Sequence, residues 1–272
     1  MFEYYQDSVQ ALRSTFKRLN LVMIGEPAIR LTDPLFREWA LNYWDSDGDG
    51  WIMPEEGEVS KIINFQNKPC KGEVFDFREL VLGYVINGTS SYVPNARIVY
   101  VGRETYEKDG IINAMQIHSP VLEEYYMGPD ANTIGTGLFQ DLTNLRKFRF
   151  NDKLKTISGV AFENCASLED INEIPDTCTT IWGQYSQASF HNCTALKSIT
   201  IGRGMQRIGA FTFMGCTAMK SFYIKATTPP QLDSRVFDNN PCNIYVPRGC
   251  GSAYKSATNW SALASRIQEY DF

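Results

Sequence analysis

The chain has 272 residues, which at about 150 per domain makes one large domain or two modest ones. Apolar residues are 43% and charged residues 21%, which excludes wholesale disorder and collagen-like sequence. The net charge of −5, from 26 basic and 31 acidic residues, excludes a broad nucleic-acid-binding surface.

No apolar run approaches the roughly 18–20 residues that span a bilayer. The N-terminus lacks the basic start and apolar core of a secretory signal, so either the protein is intracellular or a leader has been removed. Tyr4 to Leu19 reads instead as an amphipathic helix. Asp33-Pro34 opens a second helix, because Asp caps free N–H groups and Pro suits the first helical position. That helix, LFREWALNYW, runs to about Trp44.

Directly after it stands DSDGDGWIMPEE, residues 45–56, which matches a calcium-binding loop at its diagnostic positions. Asp45, Asp47 and Asp49 fill positions 1, 3 and 5. Gly50 allows the turn, Trp51 offers its backbone carbonyl, and Glu56 can bind through both oxygens. Calcium wants six to eight oxygens, and this spacing wraps oxygens around one point. Met53 at position 9 supplies none. With no second loop of this kind, the spacing predicts a structural calcium ion rather than a signalling switch.

Between Phe65 and Pro120, VFDFRELVLGYVI, ARIVYV and AMQIH read as strands, with turns at Asn87-Gly88 and Pro94-Asn95. From Leu122 onward a repeat takes over. Isoleucines at 134, 157, 181 and 208 lead units 23, 24 and 27 residues apart. The first unit continues with Phe139, Leu142, Leu145, Phe148 and Phe150, and the last with Phe213, Cys216, Met219, Phe222 and Ile224. The second carries one extra residue before Ile174, and the third a four-residue insertion near Gln184 to Gln187. Leu122, Tyr125 and Met127 are the tail of an earlier unit. Ile244-Tyr245-Val246 closes the series as a shortened last rung.

A period of 23 lies in the leucine-rich-repeat range of about 20–29 residues. Each L-x-x-I-x-I segment is then one short strand, and strands stacked ~4.8 Å apart build a narrow parallel sheet over a continuous core. GSAYKSATNWSALASRI reads as an amphipathic helix capping the open end. Cys165, Cys193 and Cys216 share one repeat position and Cys178 fills the slot of Leu154 and Met205. All four are therefore core residues and no bridge is required among the seven cysteines.

The residues between strand apolars face outward. At the middle of I-x-I the rungs read Tyr126, Arg149, Asn172 (or Glu173), Thr200, Tyr223 and Tyr245, a candidate ligand face in which tyrosine is the favourable contact residue. The preceding pairs, Glu123-Glu124, Arg146-Lys147, Glu169-Asp170 and Lys197-Ser198, alternate in sign, which suits a register device. A catalytic reading finds little. His191 lies beside Cys193, but the repeat places that thiol inward and the imidazole outward. His118-Ser119 has no G-x-S-x-G elbow, and Gly202-Arg-Gly204 is a repeat turn rather than a phosphate loop.

The I-G-x-x-x-F-x-x-C-x-x-L-x-x-I-x-I unit and the ending ATTPPQLDSRVFDNNPCNIYVPRGCGSAYKSATNWSALASRI resemble the BspA-like leucine-rich repeat of bacterial cell-surface proteins. LTDPLFREWALNYWDSDGDGWIMPEEGEVSKI is similar to the lone calcium-hand segment that precedes such repeats, and to one half of a dockerin. The resemblance implies a non-catalytic extracellular protein at the bacterial cell surface that binds protein or glycan ligands, with no membrane-spanning segment and no nucleic-acid partner. The expected fold class is α+β: an N-terminal helical EF-hand-like segment (1–65), a β-rich connecting region or degenerate repeats (66–120), a leucine-rich-repeat solenoid (121–247) and a C-terminal cap with a capping helix (248–272). The runner-up function is a calcium-dependent assembly module of the dockerin kind. A third is an enzyme with its site in residues 66–120.

Overall fold

The computed structural model describes residues 96–101, 110–114, 117–185 and 187–272, with short pieces at 37–38, 41–42, 48, 74–76, 81–82, 91–92 and 103–104. In chain order the strands are β1 (Val74–Asp76), β2 (Val81–Leu82), β3 (Ser91–Tyr92), β4 (Ile98–Tyr100), β5 (Arg103–Glu104), β6 (Ile117–His118), β7 (Glu124–Tyr126), β8 (Thr133–Ile134) and β9 (Lys147–Arg149). They continue with β10 (Thr156–Ile157), β11 (Asp170–Ile171), β12 (Thr180–Ile181), β13 (Ser198–Ile201), β14 (Arg207–Ile208), β15 (Ser221–Ile224), β16 (Gln231–Leu232), β17 (Asn243–Pro247) and β18 (Ile267–Tyr270).

Each turn of chain adds one strand to each of two parallel stacks. In the first, β1, β4, β7, β9 and β11 pair in that order, and β13, β15, β17 and β18 carry it on. In the second, the lead isoleucines fall into register: Ile134 opposite Ile157, Ile157 opposite Ile181, Ile181 opposite Ile208, and Ile208 opposite Leu232. The pairing of Val74 with Ile98 and of Ile98 with Glu124 extends the first stack toward the N-terminus through residues that carry no visible repeat.

The core lies between the stacks. One phenylalanine per turn stacks on the next: Phe139 on Phe162 (5.4 Å), Phe162 on Phe190 (4.9 Å), Phe190 on Phe213 (5.3 Å) and Phe213 on Phe237 (5.9 Å). Beside this column runs a second one. The Cys165 thiol donates to the Phe139 carbonyl (3.0 Å), Cys193 to Phe162 (3.2 Å) and Cys216 to Phe190 (3.2 Å). Asn240 takes the same place in the next turn, its Nδ2 on the Phe213 carbonyl at 3.0 Å. A small donor side chain from the next turn thus adds a partner to each of these buried carbonyls, beside the backbone N–H that those of Phe162, Phe190 and Phe213 already accept. Burial pushes the Cys165 and Cys178 thiols up to about 12 and drives Cys193 upward as well. The buried Cys165, Cys178, Cys193, Cys216 and Cys242 and the half-buried Cys250 are all free.

Just before each of those donors the backbone turns left-handed, at Asn164, Asn192, Gly215 and Asn239, and it does so at Asp141 before Leu142, the equivalent position of the first unit. Asn, Asp and Gly tolerate that conformation best, which explains their recurrence there.

Two departures from expectation occur. The single capping helix is instead a six-residue helix α1 (Gly251–Ser256), a 3-10 turn (Ser261–Arg266) and strand β18. Ala257 is extended and Asn259 is left-handed, so the helix ends there. The chain then supplies Ile267–Tyr270 to the open edge of β17, giving its unpaired backbone groups partners. The rung at Ile244-Tyr245-Val246 is shortened and ends the repeat, as expected, but it does not end the stack. Leu232 and Phe237 complete it, Arg266 clamps it through the Cys242 and Asn240 carbonyls (2.7 and 2.9 Å), and β18 lies beyond it. Trp260 and Tyr254 close the end, donating to the Pro230 and Ala226 carbonyls at 2.8 Å each.

Candidate functional site

The outward positions of the first stack lie along one side, and its two ends differ in chemistry. At the N-terminal end, charge dominates. Glu123 meets Arg97 (2.6 Å) and Arg146 (3.3 Å), Glu124 meets Lys147 (3.3 Å), Asp170 meets Arg149 (2.7 Å), and Glu169 meets Lys197 (2.9 Å). The alternating signs seen in the sequence thus become pairs between neighbouring turns. Burial works to raise the Glu124 carboxyl, but the Tyr126 hydroxyl and Lys147 outweigh it and hold the group below its ordinary value. A hydrogen bond from Arg149 holds Asp170 low despite partial burial.

Tyr126 belongs to this network. Its ring stacks on Tyr100 at 4.3 Å, its hydroxyl donates to Glu124 at 2.8 Å, and the Lys147 ammonium lies 5.2 Å from its centroid. Asn172 has a different task. The extra residue of its turn interrupts the stack between β11 and β13, leaving only the bridge from Ile174 to Ile201. On its other side the Asn172 amide prolongs the pairing of β11 with β9: Phe150 N–H donates to its Oδ1 (2.7 Å), and its Nδ2 donates to the Phe150 carbonyl (3.0 Å). A side-chain amide thus replaces a missing peptide. The sequence marks the position by the extra residue and an Asn beside it.

Past Thr200, which pairs with Tyr223, the face turns aromatic. Tyr223 and Tyr245 stack at 4.7 Å, as their register in adjacent strands dictates. Tyr270 meets both edge-on at 5.3 and 5.7 Å, and Phe272 packs on Tyr270 at 5.1 Å. Tyr270 and Phe272 are 43% and 45% exposed. The pairing of β17 with β18 brings these two rings to the face, a placement without any signal in the repeat pattern.

The anticipated calcium ligands Asp45, Asp47, Asp49, Trp51 and Glu56 lie outside the described residues, and of that loop only Gly48 is described. Among the described residues, no group of three or more His, Cys, Asp or Glu side chains is placed to hold a metal ion. The His191 imidazole meets Glu163 at 3.0 Å, whereas the Cys193 thiol points inward to the Phe162 carbonyl, so the two do not form a nucleophile and base. Among the described residues no helix is long and apolar enough to cross a membrane.

Residues 117–245 match the family model described as BspA type leucine rich repeat region, in six copies. No curated protein matches the chain. Among solved structures, a leucine-rich repeat protein of T. pallidum is similar at 19% identity and a TM-score of 0.38, over 64% of this chain. The chain spans 62% of the length of that protein. A leucine-rich repeat protein from Bacteroides ovatus ATCC 8483 is similar at 12% identity and a TM-score of 0.18, over 70% of this chain and 87% of the other. The repeat region is thus similar to BspA type leucine rich repeats, and its two parallel stacks have the geometry of a solenoid.

Proposed function

We propose that this is a non-catalytic binding protein, secreted or held at a bacterial cell surface, that recognises protein or glycan ligands through the outward face of its solenoid. The observation that carries the reading is the aromatic cluster of Tyr223, Tyr245, Tyr270 and Phe272 on a rigid sheet. Large, stiff, amphipathic rings give contact area at little entropic cost. Arg149, Thr200 and Tyr126 extend the face toward the N-terminus, while Asn172 serves the backbone beneath it. The test replaces Tyr126, Tyr223 and Tyr245 together by Ala and measures binding to immobilised matrix proteins and glycans. A bound partner whose affinity is unchanged in the triple variant would exclude this face.

The N-terminal loop is proposed to hold one structural calcium ion through Asp45, Asp47, Asp49, the Trp51 carbonyl and Glu56. Calorimetric titration with calcium should give heat for the parent protein and none for Asp45→Ala. The same loop supports the second reading, calcium-dependent docking to another surface protein, for which chelator-sensitive capture is the signature.

A further inference from the structure

The four-residue insertion is the largest break in the repeat spacing; it carries one exposed aromatic ring, Tyr185, and a second, Trp182, stands just before it. Trp182 is 47% exposed and Tyr185 is 77% exposed. In solenoids, insertions confined to one repeat map to loops on one face, often a binding face. These rings lie beside β12, in the second stack, and so are separate from the tyrosine face on the first.

The loop is braced. Gln184 and Gln187 exchange backbone hydrogen bonds (3.3 and 2.9 Å), and their side-chain amides bond at 2.7 Å. Ser189 Oγ donates to the carbonyls of Ser158, at 2.8 Å, and of Trp182. Gly183 sits where a Cβ would overlap the Ala210 carbonyl, so the loop base is pressed against the next turn. Rings presented this way lose little freedom on binding.

Each ring also has a support. The Arg207 guanidinium lies 4.9 Å from the Trp182 centroid and is fixed by Asp233 at 2.8 Å. Tyr185 meets Phe211 edge-on at 5.5 Å. Arg235 covers Phe211 at 4.9 Å and is fixed by Asp238 at 2.5 Å. Two guanidinium groups are thus matched by two carboxylates, and the patch carries no net charge to recruit a charged peptide or a polyanion. The loop also offers the Tyr185 hydroxyl and the neutral amides of Gln184 and Gln187, which both donate and accept.

We propose that Trp182 and Tyr185 form a platform for a neutral saccharide. A pyranose presents an apolar C–H face that suits an aromatic ring and hydroxyls that both donate and accept, which suits neutral amides. Charge balance favours this occupant over an acidic or basic protein segment, and a protein partner or a second copy of the chain would each read out differently in the test.

The test runs the protein on native gels containing dextran, mannan, starch or xylan, beside gels containing none. Retardation by at least one of these is expected. It should be nearly unchanged from 0.05 to about 0.5 M salt, because no screened charge is involved. It should weaken about tenfold or more in the Trp182→Ala/Tyr185→Ala double variant, recover in part in Trp182→Phe/Tyr185→Phe, and survive in Tyr223→Ala/Tyr245→Ala. Thermal melts check that each variant folds. Absence of retardation in all four gels overturns the proposal, as does retardation that the double variant leaves intact. Sedimentation that shows a dimer lost in the double variant would assign the patch to a second copy instead. Because the two pairs of variants lie on different stacks, failure here leaves the tyrosine face untouched, and the reverse.

Discussion

On one face of the solenoid, the turns from Glu123 to Lys197 bind each other through charge, while those from Tyr223 to Phe272 present rings. The same repeat position serves both, with Arg149 at one end and Tyr245 at the other. Below the face, nothing changes: the phenylalanine column and the donor column run through both ends. The core is therefore what the repeat conserves within this chain, and the outward positions are free to specialise. The charged end aligns strands, and the aromatic end is left to meet a partner.

Because the column is common to both ends, breaking it should have the largest effect. Phe190 is fully buried and stacks on both neighbours, so Phe190→Ala should cost about 3–5 kcal/mol in urea unfolding. Asn172 ties β11 to β9 at the last turn of the charged end. Asn172→Ala leaves the Phe150 N–H and carbonyl without that partner and should cost about 1–3 kcal/mol by the same measure. A cost near zero would show that the amide is not replacing a peptide.

Acid should loosen the charged end. Glu124 and Asp170 are held below their ordinary values of 4.5 and 3.8, as is Asp176 by the Arg203 backbone N–H. A depressed carboxyl contributes stability above its unfolded value and loses it as pH falls through the folded one. The melting temperature should thus decline below about pH 4.5, and less steeply in Glu124→Gln/Asp170→Asn. Glu269 and Asp271 are also held low, by the Gly249 and Gly251 N–H groups and by Arg248, so part of the decline should survive in that variant. The thiols act in the opposite direction. Their stabilisation is complete below 9.0 and is lost as pH climbs toward about 12. Smallest of all, Arg149→Ala removes one solvent-facing pair and should cost about 0.2–1 kcal/mol, less at high salt.

Much of this was legible in the sequence because a solenoid turn meets only its neighbours. A residue at a fixed offset therefore meets the same environment every time, and Ile134, Phe139, Cys165 and the Glu-Arg alternation could be read by position alone. The tyrosines 223 and 245 were legible for the same reason. Tyr270 and Phe272 were not, because they arrive on a strand with no repeat around it. Leu232 and Phe237 keep the five-residue offset, but the turn that follows is shortened, which hid their rung. Trp182 and Tyr185 stood in plain view, just before and within an insertion, yet nothing local reveals that Arg207 and Phe211 support them from the next turn.

By itself the sequence determined the period, the inward set and the sign of each outward pair, since these depend on nearest-neighbour stacking. Only the tertiary structure decided how the array ends. SALASR has good local helix propensity, but the open edge of β17 is a row of unpaired backbone donors and acceptors, and Ile267–Tyr270 gains more by satisfying it than by prolonging a helix.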